Sequence, residues 1–281
     1  MSIVTRFAPS PTGYLHLGHA ASALIGFARA SNAKGRFLLR IEDIDASRCR
    51  PEYTKAIIED LTWLGITWRD QPHIQSCHMA DYRTAIDRLD AMDLLYPCFC
   101  SRAEIAAAMG APHGTETIYP GTCRRLDPAI AADRIAHGDA YALRLRTAAA
   151  AARAGTLRYH EDGDGWLTAN PNPLGDIVLA RKDVPASYHL CVTHDDALQG
   201  VTLVTRGADL REATPIHVLL QRLLGWPTPA YAHHPLLTDA TGRRLAKRDH
   251  AATIRDLRTA GTTPADIRKI ISCRIGPIPS L

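Results

Sequence analysis

Apolar and polar positions along the first hundred residues alternate between strand-like and helix-like spacing. The short run Ile3-Val4 reads as a strand, and the alanine-rich stretch from Ala20 to Arg29 reads as a helix. Arg36 to Ile41 predicts a second strand. Pro51 to Leu64 predicts an amphipathic helix with proline in its first turn. Met79 to Leu95 predicts another, with Ile86, Leu89, Met92 and Leu95 at helical spacing. This βαβα rhythm points to an α/β fold built on a doubly wound parallel sheet, in which ligands sit at the carboxyl ends of the strands.

From residue 98 to about 185 the rhythm breaks. Clustered cysteines are followed by an alanine-rich stretch from Ala129 to Ala154 and a Gly/Asp/Pro/Asn-rich segment from Asp162 to Gly175, which together read as an insertion between two halves of the sheet. The α/β pattern resumes at Ala186, with Val201 to Val204 as a buried strand and Thr214 to Leu224 as a helix. A short tail follows Trp226-Pro227. The expected boundaries are 1–97 and 186–230 for the two halves, 98–185 for the insertion and 231–281 for the tail. No internal repeat is visible.

Composition narrows the class. The chain has 281 residues, 46% hydrophobic and 22% charged, as in a soluble globular protein large enough to bury a real core. No apolar run reaches the ~18 residues that span a bilayer, and the N-terminus lacks a secretory layout, so a cytoplasmic protein with no membrane partner is expected. The net charge of +4 permits a nucleic-acid partner without arguing for one. Seven cysteines in an intracellular chain should be reduced, so a cluster among them reads as a metal site rather than as disulfides.

The stretch Arg6 to His19 carries the most chemistry. It joins a strand to a helix N-terminus through a Pro/Gly-rich turn, where free N–H groups and the helix dipole favour phosphate. His16 and His19 add donors for charge developing on a phosphoryl group, and Gly18 leaves room for a base or phosphate against the backbone. This is a nucleotide site without a Walker lysine. The His-x-Gly-His turn resembles the HIGH motif of class I aminoacyl-tRNA synthetases, and Phe7-Ala8-Pro9-Ser10-Pro11-Thr12-Gly13 narrows the likeness to the glutamyl/glutaminyl branch. The resemblance implies a Rossmann-like catalytic domain that uses ATP with Mg2+, His16 and His19 acting in catalysis and Gly18 in the nucleotide site.

Glu42, Asp43 and Asp45 follow the second strand, where a carboxylate can face the cleft and pair with an ammonium. The segment is similar to the RIEDTD of glutamyl-tRNA synthetases, which implies that Glu42 holds the amino group of L-glutamate. A buried arginine fork recognises a carboxylate and rejects a neutral amide. By resemblance, Arg6, Tyr188 and Arg206 frame the amino acid, with Phe7, Ala8, Pro9 and Ser10 along its edge. Where the family usually has glutamine after the tyrosine and a more apolar strand before Asp195-Asp196, this chain has His189 and Thr193-His194. Arg243 to Arg248 lies where the second class I signature, KMSKS, belongs. Lys247 takes the place of the second lysine, Arg244 that of the first, and Ala246 that of the serine. The likeness makes Lys247 catalytic and both cations ATP-binding, through charge stabilisation at the triphosphate.

Cys98, Cys100 and Cys123, with Tyr119, form Cys-x-Cys…Tyr-x-x-x-Cys. Three thiolates are one short of a closed tetrahedral zinc site. The pattern resembles the zinc site in the insertion of one synthetase paralogue family, which implies one structural Zn2+ on these four residues, with His113 in reserve. Cys49, Cys77, Cys191 and Cys273 stand apart and read as structural. Only 34 residues follow Lys247, too few for the anticodon-binding region of a full-length synthetase.

That shortness, the cysteine pattern and the glutamate residues together resemble the glutamyl-Q tRNA(Asp) synthetase family, truncated paralogues of the glutamyl enzymes. The likeness implies a monomer with an acceptor-binding, zinc-bearing insertion and a helical stem-contact tail. It also implies transfer of activated glutamate to the cyclopentene ring of queuosine, in the anticodon loop of tRNA(Asp). A truncated glutamyl-tRNA synthetase charging tRNA(Glu), a non-catalytic tRNA-binding paralogue and a small-molecule nucleotidyltransferase are the competing readings.

Overall fold

The computed structural model describes residues 2–101, 103–105, 118–181, 184–238 and 252–278. Strands β1 (Val4–Phe7), β2 (Arg36–Ile41) and β3 (His73–Ile74) run parallel in the order β1-β2-β3, with Val4 opposite Arg36 and Arg40 opposite His73. β1 begins at Val4 and carries Arg6 and Phe7 inside the strand. Every residue of β2 from Phe37 to Ile41 is buried, because helices cover both faces of the sheet. Leu39 and Ile41 pack with Leu24 of α1 (Leu17–Asn32) and with Ile57 and Leu61 of α2 (Pro51–Trp63). Leu38 packs on the other face with Tyr82 and Leu89 of α3 (Met79–Asp90). α1 approaches the sheet closely at Gly26, where a Cβ would lie 2.9 Å from Thr205 Oγ1.

Three antiparallel strands follow: β4 (Leu95–Cys98), β5 (Ala142–Leu145) and β8 (Val178–Arg181), in the order β4-β5-β8. The alanine-rich stretch is not one helix. It divides into α4 (Pro128–Ala136) and α5 (Thr147–Ala154) with β5 between them. The Gly/Asp-rich segment forms the turn and second strand of a hairpin, β6 (Arg158–Glu161) and β7 (Gly165–Thr168).

The chain then returns through α6 (Tyr188–Leu198), β9 (Leu203–Gly207), α7 (Thr214–Leu224) and β10 (Ala230–His234). β9 lies beside β1, tied by the Thr202 N–H to the Val4 carbonyl at 3.0 Å and by the Val4 N–H to Thr202 Oγ1 at 2.8 Å. β10 pairs parallel with β9, and the β6–β7 hairpin extends that edge through Glu161 opposite Tyr231. Leu190, Leu219 and Leu220 of α6 and α7 share the core of Leu38 and Tyr82. The last helices, α8 (Ile254–Thr259) and α9 (Pro264–Ile275), start at capping boxes, Thr253 with Asp256 and Thr263 with Asp266. They bury Ile254, Ile267 and Ile271 against the core of α1 and α2.

Three expectations need correction. The helix from Met79 stops at Asp90, because Asp93 turns the chain at φ 57° and sends Leu95 into β4; Leu95 matched the helical spacing but is buried as a strand residue. The buried strand starts at Leu203 rather than Val201, since Thr202 is spent tying β9 to β1. The segment before Asp195-Asp196 is helix α6, not a strand, and Ser187 caps it by accepting from the Leu190 N–H.

Candidate functional site

The carboxyl ends of β1, β2 and β9 open onto a cavity of about 310 Å³. Arg6, Phe7, Ala8, Pro9 and Ser10 line one wall; Glu42, Tyr188 and Arg206 line another. His16, Gly18 and His19 close the side formed by the start of α1. The structure therefore gathers the residues singled out around β1, β2 and β9 into one space. Arg244 and Lys247 lie outside the described residues, as do Ala246 and His113. The described chain leaves the cavity wall at Leu237 and comes back beside it, where Thr253 bridges to His16 and the Ile254 N–H donates to the Leu15 carbonyl at 2.7 Å.

The His-x-Gly-His turn builds its own helix start. His16 is the N-cap, its Nδ1 accepting from the Gly18 N–H at 3.1 Å, while His19 Nδ1 accepts from the His16 N–H at 3.2 Å. A neutral ring that accepts at Nδ1 carries its proton on Nε2. A Cβ at Gly18 would lie 3.0 Å from the His16 ring, so any larger residue would push the capping ring aside by a few tenths of an ångström.

Charge is arranged in layers beneath the cavity. Arg6 grips Asp196 with Nε at 2.9 Å and a terminal nitrogen at 3.4 Å, and Arg40 reaches the same carboxylate at 2.5 Å. Asp195, fully buried, accepts from Gln75 at 2.8 Å and from Tyr82 at 2.9 Å. Burial raises the Asp196 pKa and the two arginines overcome that, so the carboxyl titrates below its usual range. Glu42 sits above them with its nearest cation, Arg40, 3.9 Å away, outside hydrogen-bond reach. Burial therefore dominates and pushes Glu42 up to about 7. Asp43 is occupied elsewhere, accepting from the Ser76 N–H and hydroxyl at 2.8 and 2.7 Å, and Asp45 holds Ser47 and Arg48 at the surface. Of the three acidic residues, Glu42 is the one that faces the cavity.

A second cavity, of about 510 Å³, shares Ser10, Glu42 and Tyr188 with the first and runs toward Cys100, Ile105 and Arg144. At that end the sulfurs of Cys98, Cys100 and Cys123 all lie within 4.8 Å of one another. Tyr119 is buried beside them, its hydroxyl 3.7 Å from Cys100 Sγ and accepting from the Cys123 N–H at 2.7 Å. Three thiols converging with a phenol oxygen form a donor set that fits a tetrahedral soft-ligand ion such as zinc.

The catalytic-domain family model of the class I tRNA synthetases of the E and Q type matches residues 2–278. The chain belongs to this synthetase family. A protein of Rhodobacter capsulatus named glutamyl-Q tRNA(Asp) synthetase is 49% identical, the match covering 96% of this chain and 99% of that protein. One of the same name from Symbiobacterium thermophilum is 44% identical, covering 93% of this chain and 83% of that one. The crystal structure of a glutamate tRNA ligase from Elizabethkingia meningosepticum, in complex with its amino acid, shares 28% identity and a TM-score of 0.74 over 89% of this chain. This chain spans about half of that ligase, 52% of its length. The parallel sheet wound on both faces is thus the class I synthetase catalytic fold.

Several residues of this synthetase site escaped the reading of the sequence. Arg40 lies inside the predicted second strand, yet nothing local marks it as the base of the charged layer. His217 and His233 bond directly to Arg206 but lie 11 and 27 residues away from it. Neither belongs to a motif, and only the pairing of β9 with β10 and the packing of α7 bring them in. Ser22 of α1 and His234 of β10, 2.9 Å apart at the cavity wall, meet only where that helix packs on the sheet.

Proposed function

We propose that this chain activates L-glutamate with ATP and transfers it to queuosine in the anticodon loop of tRNA(Asp). The observation that carries the glutamate assignment is the pairing of Arg206, buried and held by neutral partners, with Glu42 across one cavity bordered by the His16–His19 turn. An amino acid with a carboxylate side chain meets both: its ammonium pairs with Glu42 and its side chain with Arg206. An oxygen of the α-carboxylate then attacks the α-phosphorus of ATP, and the bond to pyrophosphate breaks. His16 and His19 donate from Nε2 as charge builds on the phosphate, and Lys247 and Arg244 take the role of the KMSKS cations. Mg2+ would offset the triphosphate charge. A hydroxyl of the cyclopentene ring of queuosine next attacks the glutamyl carbonyl, and AMP leaves.

The names of two relatives that match nearly the whole chain support queuosine as the acceptor, and the second cavity, joined to the first at Tyr188, offers the modified nucleoside a place. The chain would work as a cytoplasmic monomer, with residues 98–185 contacting the acceptor and residues 231–281 the stem. Glutamate-dependent ATP–pyrophosphate exchange without tRNA tests the first step. Folded protein that exchanges nothing, or exchanges with glutamine as well as glutamate, contradicts it.

Glu42 makes the reading pH-sensitive. Its raised pKa leaves the carboxyl neutral below about 7, where it no longer pairs with an ammonium. For exchange, kcat/KM for glutamate should fall toward acid with an apparent pKa near 7. E42Q should show a low profile without that step; the same step in E42Q assigns it to another group.

Cys98, Cys100, Cys123 and Tyr119 would hold one structural zinc, which would supply a cross-link fixing the two ends of the cysteine segment. Purified protein should contain about one zinc per chain, and C98S only a small fraction of that. Full zinc content in C98S would place the ion elsewhere.

A further inference from the structure

Arg206 is 5% exposed, and each edge of its guanidinium meets a neutral acceptor. Nε donates to His233 Nε2 at 3.0 Å, one terminal nitrogen to His217 Nδ1 at 3.0 Å, and the other to Thr214 Oγ1 at 2.8 Å. Among the described residues no carboxylate lies within 4.0 Å of it. The contrast with Arg6 is direct, since that guanidinium is spent on Asp196. One arginine of the cavity is neutralised from within the fold, and the other keeps its charge.

The directions of donation fix the histidine tautomers. A guanidinium only donates, so His217 Nδ1 and His233 Nε2 must be unprotonated acceptors. The His217 proton then sits on Nε2, which donates to His189 Nδ1 at 3.1 Å. His189 occupies the place where the family resemblance leads one to expect glutamine. The His233 proton sits on Nδ1 and goes to Glu161, whose carboxylate lies 2.9–3.0 Å away and also accepts the His233 backbone N–H at 3.0 Å. His233 therefore stands between Arg206 and Glu161, the carboxylate of this network. Burial, with the charge of Arg206 itself, keeps His217 neutral far below the usual imidazole range.

We infer that His217 and His233 are positioning residues that hold Arg206 in place without cancelling its charge, and that this neutral cradle sets the choice of a side-chain carboxylate over an amide. The inference rests on the proposal that Arg206 receives the side chain of glutamate. An aspartate or glutamate at either position would satisfy the guanidinium more strongly, because charge-assisted bonds are the stronger ones. It would also leave nothing for the substrate to neutralise. Burying an uncompensated cation is costly for the fold, and the carboxylate that arrives with the substrate recovers that cost.

The test is a pair of variants with the same shape and different charge. Glutamate and glutamine binding to H217Q and H217E are measured by calorimetry beside wild type, with ATP as a control and thermal melting to verify folding. H217Q keeps a neutral acceptor and should weaken glutamate only about threefold, whereas H217E should weaken it at least about thirtyfold more while ATP binding stays within about twofold. H217E should also bind glutamate and glutamine almost equally. A role in packing alone would lower both ligands together and leave that ratio as in wild type. The second pair, T214N and T214D, places the charge on the first residue of α7, where an acidic side chain suits the helix dipole, so it settles the matter if H217E does not fold. Equal glutamate affinity within each charged and neutral pair overturns the inference while leaving the proposed function standing. Wild-type protein that binds no glutamate overturns both.

Discussion

Replacing Arg206 with alanine should lower kcat/KM for glutamate in ATP–pyrophosphate exchange by about a thousandfold while the KM for ATP changes less than about threefold. The magnitude follows from removing one partner of a buried, hydrogen-bonded charge pair, worth about 3–5 kcal/mol. The split between substrates follows from position. Arg206 leaves the sheet at the end of β9, while the nucleotide side of the cavity is the His16–Gly18–His19 turn at the start of α1. Glutamine should remain a poor substrate for the variant, because the loss removes an attraction for the carboxylate and creates none for the amide. Equal losses for ATP and glutamate would mean that Arg206 supports the cavity as a whole and reads no carboxylate.

The second large effect concerns the fold beneath the site. Asp196 pairs with two buried arginines at once, Arg6 at 2.9 Å and Arg40 at 2.5 Å, and Asp195 adds a second carboxylate 3.8 Å from the fully buried Arg40. D196N leaves both cations in the interior with an amide between them, and should destabilise the protein by about 3–5 kcal/mol in urea unfolding. The Asp139 partner of Arg134 makes the comparison: that pair is as short, 2.7 Å, but both side chains are about two-fifths exposed. D139N should cost under about 1 kcal/mol, since water screens the pair. Comparable losses in the two variants would show that the buried layer is not what secures this end of the sheet. Stability should also fall with acid as Asp196 protonates. Its folded pKa is depressed, so the contribution is present above the unfolded carboxyl range and is lost as pH drops through the folded value.

Much of this site could be read from the chain before folding. The strand-turn-helix of Arg6 to His19, the carboxylate after β2 and the arginine near the end of β9 each lie at the carboxyl end of a parallel strand, so local pattern and sheet logic converge on one cleft. The first half of the sheet was legible because Phe37, Leu38, Leu39 and Ile41 give β2 an apolar run and α2 is amphipathic. The segments that misled did so for physical reasons. Leu95 fits a helical period, but the left-handed turn at Asp93 ends the helix first. The alanine-rich stretch from Ala129 to Ala154, read only as part of the insertion, is broken at Gly138, where φ is 84°, and β5 then pairs with β4 on one side and β8 on the other. The histidines around Arg206 carried no signal at all. A lone buried histidine resembles any other until the strand pairing shows which nitrogen faces which donor.

On the proposed function, activated glutamate goes to a modified base and not to the end of a tRNA. The most direct test incubates the protein with ATP and labelled glutamate, together with tRNA(Asp) carrying queuosine, tRNA(Asp) lacking it, or tRNA(Glu). The expected result is label on queuosine-containing tRNA(Asp) alone, retained when the 3′-terminal adenosine of the tRNA has been removed. Label on tRNA(Glu), or on tRNA(Asp) regardless of queuosine, would contradict it.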